Sequence, residues 1–295
     1  MRFSDQDKLS TTLPMDQIKT SQPMRDMGAR TAALATRHGK ERVIAPAFAR
    51  LAGIALRVAE ADTDALGTFT GEIPRALPMR ETVLAKARLG ADATGLPLAI
   101  ASEGSFGPHP VIPFLAAAHE MMAFVDLERG LEIVESRRSE ATNFAALDVT
   151  AEVDVDAFLA RIGFPQHALI FRSGERLVKG IMSRAHLGRL IATASAPVRL
   201  ETDMRAHMNP TRMAEIGKLA EALARRIGTP CPSCGAPGFG VIRSVGGLPC
   251  KECGTETPLT RALVLGCALC RHEQEFPRPD GRTTATPAEC QECNP

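Results

Sequence analysis

The 295-residue sequence contains no tryptophan and no tyrosine, and aromatic residues make up only 4% of it. Base-stacking surfaces would have to be built from phenylalanine, which argues against a dedicated binder of single-stranded nucleic acid. The formal net charge of +1 provides no general attraction to nucleic acid or anionic lipid. No apolar run approaches the roughly 20 residues of a membrane span, and the polar N-terminus lacks a signal-peptide core. We therefore expect a cytoplasmic protein that makes no membrane contact.

Cysteine is absent from the first 230 residues, and all eight cysteines lie in the remaining 65. This change in composition divides the chain. Residues 1–30 are polar and are predicted to be a disordered extension. Residues 31–228 alternate apolar strands with helical patterns, and the 44% hydrophobic content is enough for a full core. We predict an α/β domain at 31–228 and a small double zinc-ribbon domain at 229–295.

The cysteines form four Cys-x-x-Cys pairs, and two such turns complete a tetrahedral zinc site. The pairs are Cys231/Cys234, Cys250/Cys253, Cys267/Cys270 and Cys290/Cys293. The first two pairs are separated by 15 residues and the last two by 19, which suits a β-hairpin between zinc knuckles. We predict two structural zinc ions, with sequential pairing favoured over a crossed arrangement. Disulfides or redox motifs are the alternative, which a cytosolic location and the lack of a thioredoxin-like context disfavour.

The pattern of the first domain predicts an α/β fold with a mixed sheet and flanking helices. One helix is expected to end at Gly53 and another at Gly95, and the last helix should be capped by Asn209. The segment "LPLAIAS" is wholly apolar, as in a strand that is buried on both faces. Hairpins are expected at 121–139 and 167–181.

The segment "TRHGK" (36–40) lies at a strand-to-helix turn. Backbone amides and the positive end of the helix dipole favour a phosphate there, and Arg37 and Lys40 add positive charge. The spacing is not that of a Walker A loop. A solvated basic helix start explains the segment equally well.

A second candidate combines Glu81 and Lys86 on one helix with Glu103, which we expect in a loop of Gly, Ser and Pro after the next strand. A helix and strand joined by a short link run antiparallel, so Glu81 and Glu103 should approach each other. Two carboxylates beside a phosphate-binding turn suit Mg²⁺ or Mn²⁺. The alternative is that Glu81 only favours the helix start and that Glu103 is solvated.

A third candidate is the segment "ETDMRAHMNPTRM" (201–213), in which charged and polar side chains crowd at the start of the last helix. Arg205, His207, Asn209 and Arg212 would suit an anion or the edge of a nucleobase. A capping network with a solvated arginine is the alternative.

Three of these motifs together resemble a known family over residues 33–107. "ATRHGKERVIAPAF" is similar to its Thr/Ser-x-Asn-x-x-Lys turn, "ETVLAKA" to its Glu-Asn-Ala-x-x-Lys-Ala helix, and "TGLPLAIASEG" to the strand that bears its catalytic carboxylate. The family is the inosine triphosphate pyrophosphatase-like superfamily, which includes the Maf proteins. The likeness extends loosely to residue 213. His38 replaces the usual Asn, and Ser102-Glu103 replaces paired aspartates. With its zinc tail, the whole chain is also similar to a group of uncharacterised bacterial proteins of this layout.

The resemblance implies a Mg²⁺-dependent hydrolase of nucleoside triphosphates or related phosphoanhydrides. Glu81 and Glu103 would hold the metal, and Glu103 would also activate the attacking water. Lys86 would neutralise the phosphates. The residues expected to bind substrate are Thr36, Arg37, His38, Lys40, Arg205, His207, Asn209 and Arg212. The alternative is a non-catalytic module that binds a nucleotide or nucleic acid end, with the zinc ribbon as an adaptor for nucleic acid or protein. A homodimer is left open.

Overall fold

The computed structural model describes residues 30–67 and 76–295, so the extension expected at 1–30 lies almost wholly outside the described residues. The N-terminal elements are β1 (Arg30–Ala35), α1 (Glu41–Ala52), β2 (Ile54–Val58), a 3-10 turn (Thr63–Leu66), α2 (Met79–Thr94), β3 (Leu98–Pro108), β4 (Ala116–Asp126) and β5 (Leu131–Ser139). They form a five-stranded sheet in the order β2-β1-β3-β4-β5. β1 runs parallel to β2 and β3, whereas β3, β4 and β5 pair antiparallel, so this sheet is mixed as predicted.

Helices cover both faces of this sheet. Helix α1 and the last helix, α5 (Pro210–Ile227), pack on one face, where Leu34 and Ile100 are buried. Helix α2 packs on the other face, where Ala99 and Ala101 are buried. Alternate residues of β3 therefore lie in different apolar cores, which confirms a strand that is buried on both faces.

A second, wholly antiparallel sheet follows, with strand order β6-β9-β7-β8. Its elements are β6 (Ala146–Val149), α3 (Val155–Ile162), β7 (Leu169–Ser173), β8 (Arg176–Ile181), α4 (Arg184–Ala192) and β9 (Val198–Thr202). The sheet and its two helices enclose a separate apolar core that includes Phe158, Phe171 and Leu187. The α/β region thus has two sheets, and residues 203–209 lead from the second sheet back to α5.

The predicted helix ends are confirmed. Gly53 and Gly95 follow α1 and α2 with left-handed φ angles of 66° and 67°. The Asn209 side chain accepts a hydrogen bond from the Arg212 backbone N–H, and Pro210 is the first residue of α5. None of the helices in the described part of the chain is long and apolar enough to cross a membrane.

The loop predicted around Glu103 is wrong, because β3 continues to Pro108 and pairs with β4 along its whole length. Glu103 lies in mid-strand, opposite Met121. The hairpin with β4 satisfies the backbone hydrogen bonds of "SEGSFG", which outweighs the weak strand preference of Gly and Ser. β1 ends at Ala35, opposite Ala101, so β3 extends past the carboxyl end of its parallel neighbour.

The cysteine-rich region contains a three-stranded antiparallel sheet of β10 (Gly240–Val245), β13 (Ala262–Gly266) and β14 (Glu273–Pro277). Short strands β11 (Leu248–Pro249) and β12 (Glu256–Thr257) pair beside it. Arg226 of α5 donates to the Gly238 carbonyl oxygen at 3.1 Å and pairs with Glu135 of β5 at 2.7 Å. This side chain therefore links the cysteine-rich region to the five-stranded sheet. The domain boundary after residue 228 stays a prediction.

Two helical glycines test how closely α2 packs on the sheet. A Cβ at Gly90 would lie 2.9 Å from the Cβ of Ala35, whereas a Cβ at Gly188 of α4 would meet no atom within 4 Å. We expect Gly90→Ala to lower the free energy of unfolding by about 1 kcal/mol, because overpacking exceeds the gain in helix propensity. Gly188→Ala should raise it by roughly 0.5–1 kcal/mol. Urea unfolding of both variants would measure the two effects, and equal stabilisation would contradict the close packing.

Candidate functional site

A cleft that is open to solvent lies beyond the carboxyl end of β1, beside the extension of β3. Its lining residues are Ala35, Thr36, Arg37, His38, Lys40, Thr63, Gly67, Lys86, Ser102, Glu103, Gly104, Arg205 and Arg212. Five of these side chains are cationic, and Glu103 is the one carboxylate among these lining residues. The lining is therefore mainly cationic, although four of these five cations are paired with carboxylates.

Two lysines meet consecutive residues of β3 in this cleft. Lys40, at the start of α1, donates to the Ser102 hydroxyl at 3.0 Å, and Lys86 of α2 pairs with Glu103 at 2.7 Å. Successive residues of a strand point to opposite faces of the sheet. Each helical layer thus contributes one lysine to its own side of β3, and all four side chains are buried.

Burial lowers the pKa of Lys40 from 10.5 to about 8. The positive charge of Arg212 acts in the same direction, while Glu120 and Glu103 partly offset it. A neutral amine is consequently a substantial species at slightly alkaline pH.

Arg212 reaches the cleft from the first turn of α5 and is fixed by a buried ion pair. Its Nε donates to Glu120 of β4 at 2.7 Å, and the two side chains are 7% and 2% exposed. The guanidinium also lies over the Phe106 ring, 4.9 Å from its centroid. A Cβ at Gly104 would lie 2.3 Å from Nη2 of Arg212, so glycine is required where the arginine crosses β3.

Arg205 is held in the same way by Asp203, at 2.6 Å. Asp203 is fully buried and also accepts a hydrogen bond from the Gly180 backbone N–H. Nearby, the rings of His207 and His38 stack with centroids 4.9 Å apart. Although His207 is exposed, partial desolvation, followed by the charge of Arg205, lowers the pKa of its imidazole.

The structure brings most of the predicted side chains together, since Thr36, Arg37, His38, Lys40, Lys86, Glu103, Arg205 and Arg212 all line the cleft. His207 contacts this set through His38, whereas Asn209 is a buried cap that donates to Asn143. Glu81 is not brought to the cleft, and its side chain is exposed in the first turn of α2. It precedes Lys86 by five residues, which places it on a different face of the helix.

Sequence reasoning missed the roles of Ser102 and Glu120, which are hydrogen-bond partners of two cations of this site. Their partners, Lys40 and Arg212, are 62 and 92 positions away along the chain. The position of Glu120 next to the apolar run at 121–125 was the available signal, because a buried carboxylate requires a partner.

The cysteines form two clusters, and the sequential pairing predicted above is wrong. Cys231, Cys234, Cys267 and Cys270 make one cluster, and Cys250, Cys253, Cys290 and Cys293 make the other. Within each cluster the sulfur atoms lie within 4.8 Å of one another. Antiparallel pairing of β10 with β13 brings the turn before β10 next to the turn after β13. A bridge between Cys250 and Ala285 aligns the second turn with the last one.

Both clusters could hold a zinc ion, because four cysteine sulfurs in two tight turns match its tetrahedral preference. Two cysteines of each cluster are buried and two are exposed. Four thiolates leave no open coordination position for a substrate, so a zinc ion bound here would be structural.

The molecule is thus a mixed α/β protein with a cationic cleft and a C-terminal region that carries two four-cysteine clusters. The family model described as Domain of unknown function (DUF6671) matches residues 86–295, and the chain belongs to this family. The match covers β3, Arg205 and Arg212 of the cleft, and both cysteine clusters. A search of curated proteins found no match.

The lowered pKa of Lys40 can be measured directly. NMR titration of ¹³C-lysine-labelled protein should show one lysine that titrates at about 8. Glu103→Gln removes a negative charge that favours the ammonium form, so the pKa of Lys40 should fall further. Glu152→Gln, at an exposed site, is the control and should leave it unchanged. Titration of Lys40 at its ordinary value of 10.5 would contradict this electrostatic account.

The crossed cluster arrangement predicts the zinc content of two double variants. Cys234→Ser/Cys270→Ser removes two ligands from one cluster and should retain one chelator-resistant zinc ion, held by the intact cluster. Cys234→Ser/Cys253→Ser removes one ligand from each cluster and should retain none. Native mass spectrometry after chelator treatment measures both. With sequential pairing, the first variant would retain no zinc ion and the second variant would retain one.

Proposed function

We propose that the cleft binds a nucleoside triphosphate or a related phosphoanhydride and hydrolyses it with the aid of Mg²⁺. The observation that carries this proposal is the grouping of five cationic side chains around one carboxylate. Displacement at phosphorus depends mainly on positioning and on neutralisation of charge, and it needs little else from the protein. The similarity of residues 33–107 to the inosine triphosphate pyrophosphatase-like superfamily supports the same reaction class.

The phosphate chain would lie against the turn formed by residues 36–40. This turn precedes α1, whose N-terminus favours negative charge. Lys40 and Lys86, which contact β3, would neutralise the phosphates on one side of the cleft. Arg205, before α5, and Arg212, in its first turn, would add positive charge. Because Asp203 and Glu120 already orient the two arginines, little reorganisation would accompany binding.

Glu103 is the group that would hold a metal ion in this cleft. Proteins bind Mg²⁺ through one or two carboxylates together with substrate phosphates, so a single carboxylate is compatible with a metal that arrives with its nucleotide. The bound ion would supply charge neutralisation at the phosphate oxygens. Glu103 would accept a proton from the attacking water, and Lys86 would keep the carboxylate oriented through their 2.7 Å contact.

A binding module without catalysis is the second candidate, and one observation favours it. Glu103 is already paired with Lys86, and Glu81 is outside the cleft, so the residues that the structure describes assemble no pair of carboxylates there. In that case the cleft would hold a nucleotide or nucleic acid end, and the cysteine-rich region would act as an adaptor for a nucleic acid or protein partner.

Glu103→Gln tests the hydrolase directly. Across a panel of nucleoside triphosphates with Mg²⁺ or Mn²⁺, we expect pyrophosphate release by the wild type and a loss of at least about 10²-fold in the variant. The variant should remain folded, with a lowered melting temperature because the buried Lys86 loses its carboxylate partner. Glu152→Gln, at an exposed position, is the matched control. Undiminished turnover in Glu103→Gln would exclude the mechanism, and nucleotide binding without wild-type turnover would favour the module.

A further inference from the structure

Ser102 and Lys40 form a buried hydroxyl–amine pair that faces the cleft. The Lys40 Nζ and Ser102 Oγ atoms are 3.0 Å apart, and the residues are 8% and 5% exposed. Lys40 is fixed at the start of α1 and Ser102 within β3, so regular structure holds both groups in place. In the hydrolase described above, Lys40 only neutralises phosphate and Ser102 has no role.

We propose that Ser102 is a nucleophile toward phosphorus and that Lys40 is the base that accepts its proton. This inference rests on the proposed phosphoanhydride hydrolase and deepens it, since hydrolysis would then proceed in two displacements. In the first, a bond forms between Ser102 Oγ and phosphorus, the phosphoanhydride P–O bond breaks, and pyrophosphate leaves with the electron pair. The hydroxyl proton moves to Lys40 Nζ.

The second displacement returns the enzyme to its starting state. Water attacks the same phosphorus atom and gives up its proton to Glu103, while the bond between phosphorus and Ser102 Oγ breaks. The serine oxygen takes back its proton from Lys40, and Glu103 releases the proton from water to solvent. Since Ser102 and Glu103 project to opposite faces of β3 but both line the cleft, the two steps would use different sides of one strand.

A lysine serves as a base only when its amine is neutral, and the surroundings of Lys40 favour that form. Desolvation, with the nearby cation of Arg212, lowers its pKa to about 8. Lys86 donates its hydrogen bond to the Glu103 carboxylate rather than to a hydroxyl, so the two lysines would have different roles. Thr36 also carries a hydroxyl in the turn at residues 36–40, but this hydroxyl donates to the Arg37 carbonyl oxygen. Ser102 is therefore the hydroxyl matched to this amine.

A fluorophosphonate probe tests the pair without any need for nucleotide recognition. Attack by Ser102 would form an O–P bond and release fluoride, with the proton passing to Lys40. In the full-length, zinc-loaded protein we expect labelling at Ser102, located by peptide mass spectrometry, with a rate that increases as pH rises through about 8. Lys40→Met and Lys40→Arg should both slow labelling by at least about 10²-fold, since arginine keeps the charge but is no base.

Ser105→Ala is the matched control, because Ser105 lies exposed on the same strand, and it should be labelled at the wild-type rate. Zinc content and melting temperature would verify that every variant is folded. Labelling confined to other residues, an absence of labelling, or an unchanged rate in folded Lys40→Arg would overturn the proposal.

Nucleotide turnover separates this proposal from the hydrolase itself. In a rapid quench with ATP and Mg²⁺, we expect a covalent adduct on Ser102, and Ser102→Ala should lose turnover while it retains nucleotide affinity. Wild-type turnover in Ser102→Ala would leave the hydrolase standing and overturn the nucleophile. Probe labelling at Ser102 without any nucleotide turnover would support Ser102 as a nucleophile. It would exclude nucleoside triphosphates as the substrate.

Discussion

The buried ion pair between Arg212 and Glu120 joins the last helix to the five-stranded sheet, and the chemistry of the cleft depends on it. Both side chains are almost inaccessible to solvent, so removal of either would leave an uncompensated charge at a cost of roughly 3–5 kcal/mol. The pair also dictates glycine at position 104, because the guanidinium occupies the space of a side chain there. Since the charge of Arg212 helps to lower the pKa of Lys40, one contact links the packing of α5, the sequence of β3 and the protonation of an amine.

The positive cleft is built from acids as much as from bases. Glu120 and Asp203 are buried behind Arg212 and Arg205, and each orients the guanidinium in front of it. Mutual repulsion among neighbouring cations would otherwise spread these side chains into solvent. A ligand with several negative charges would therefore meet donors that are already oriented, which is the arrangement that stabilises developing charge most efficiently.

The features that were predictable from sequence are those encoded within a few residues. Gly53, Gly95 and Asn209 mark helix ends through local backbone and capping chemistry, and the apolar strand before Ser102 follows from composition. The errors concern interactions between distant segments. The sequence predicts a loop at Glu103 because the pairing of β3 with β4 is not visible locally, whereas the structure has a strand there. Cysteine pairing follows from strand order rather than from spacing. Glu81 and Lys86 lie on different faces of one helix. The way in which that helix packs on the sheet decides that Lys86, and not Glu81, reaches the cleft.

The crossed cysteine clusters constrain the order in which this region can mature. The first cluster is complete only once Cys270 has been synthesised, and by then the turn with Cys250 and Cys253 lies inside the loop that the cluster closes. That enclosed turn must wait for Cys290 and Cys293 before its own cluster can form. A chain that ends between residues 270 and 290 would therefore contain one complete cluster and would leave Cys250 and Cys253 without their partner cysteines.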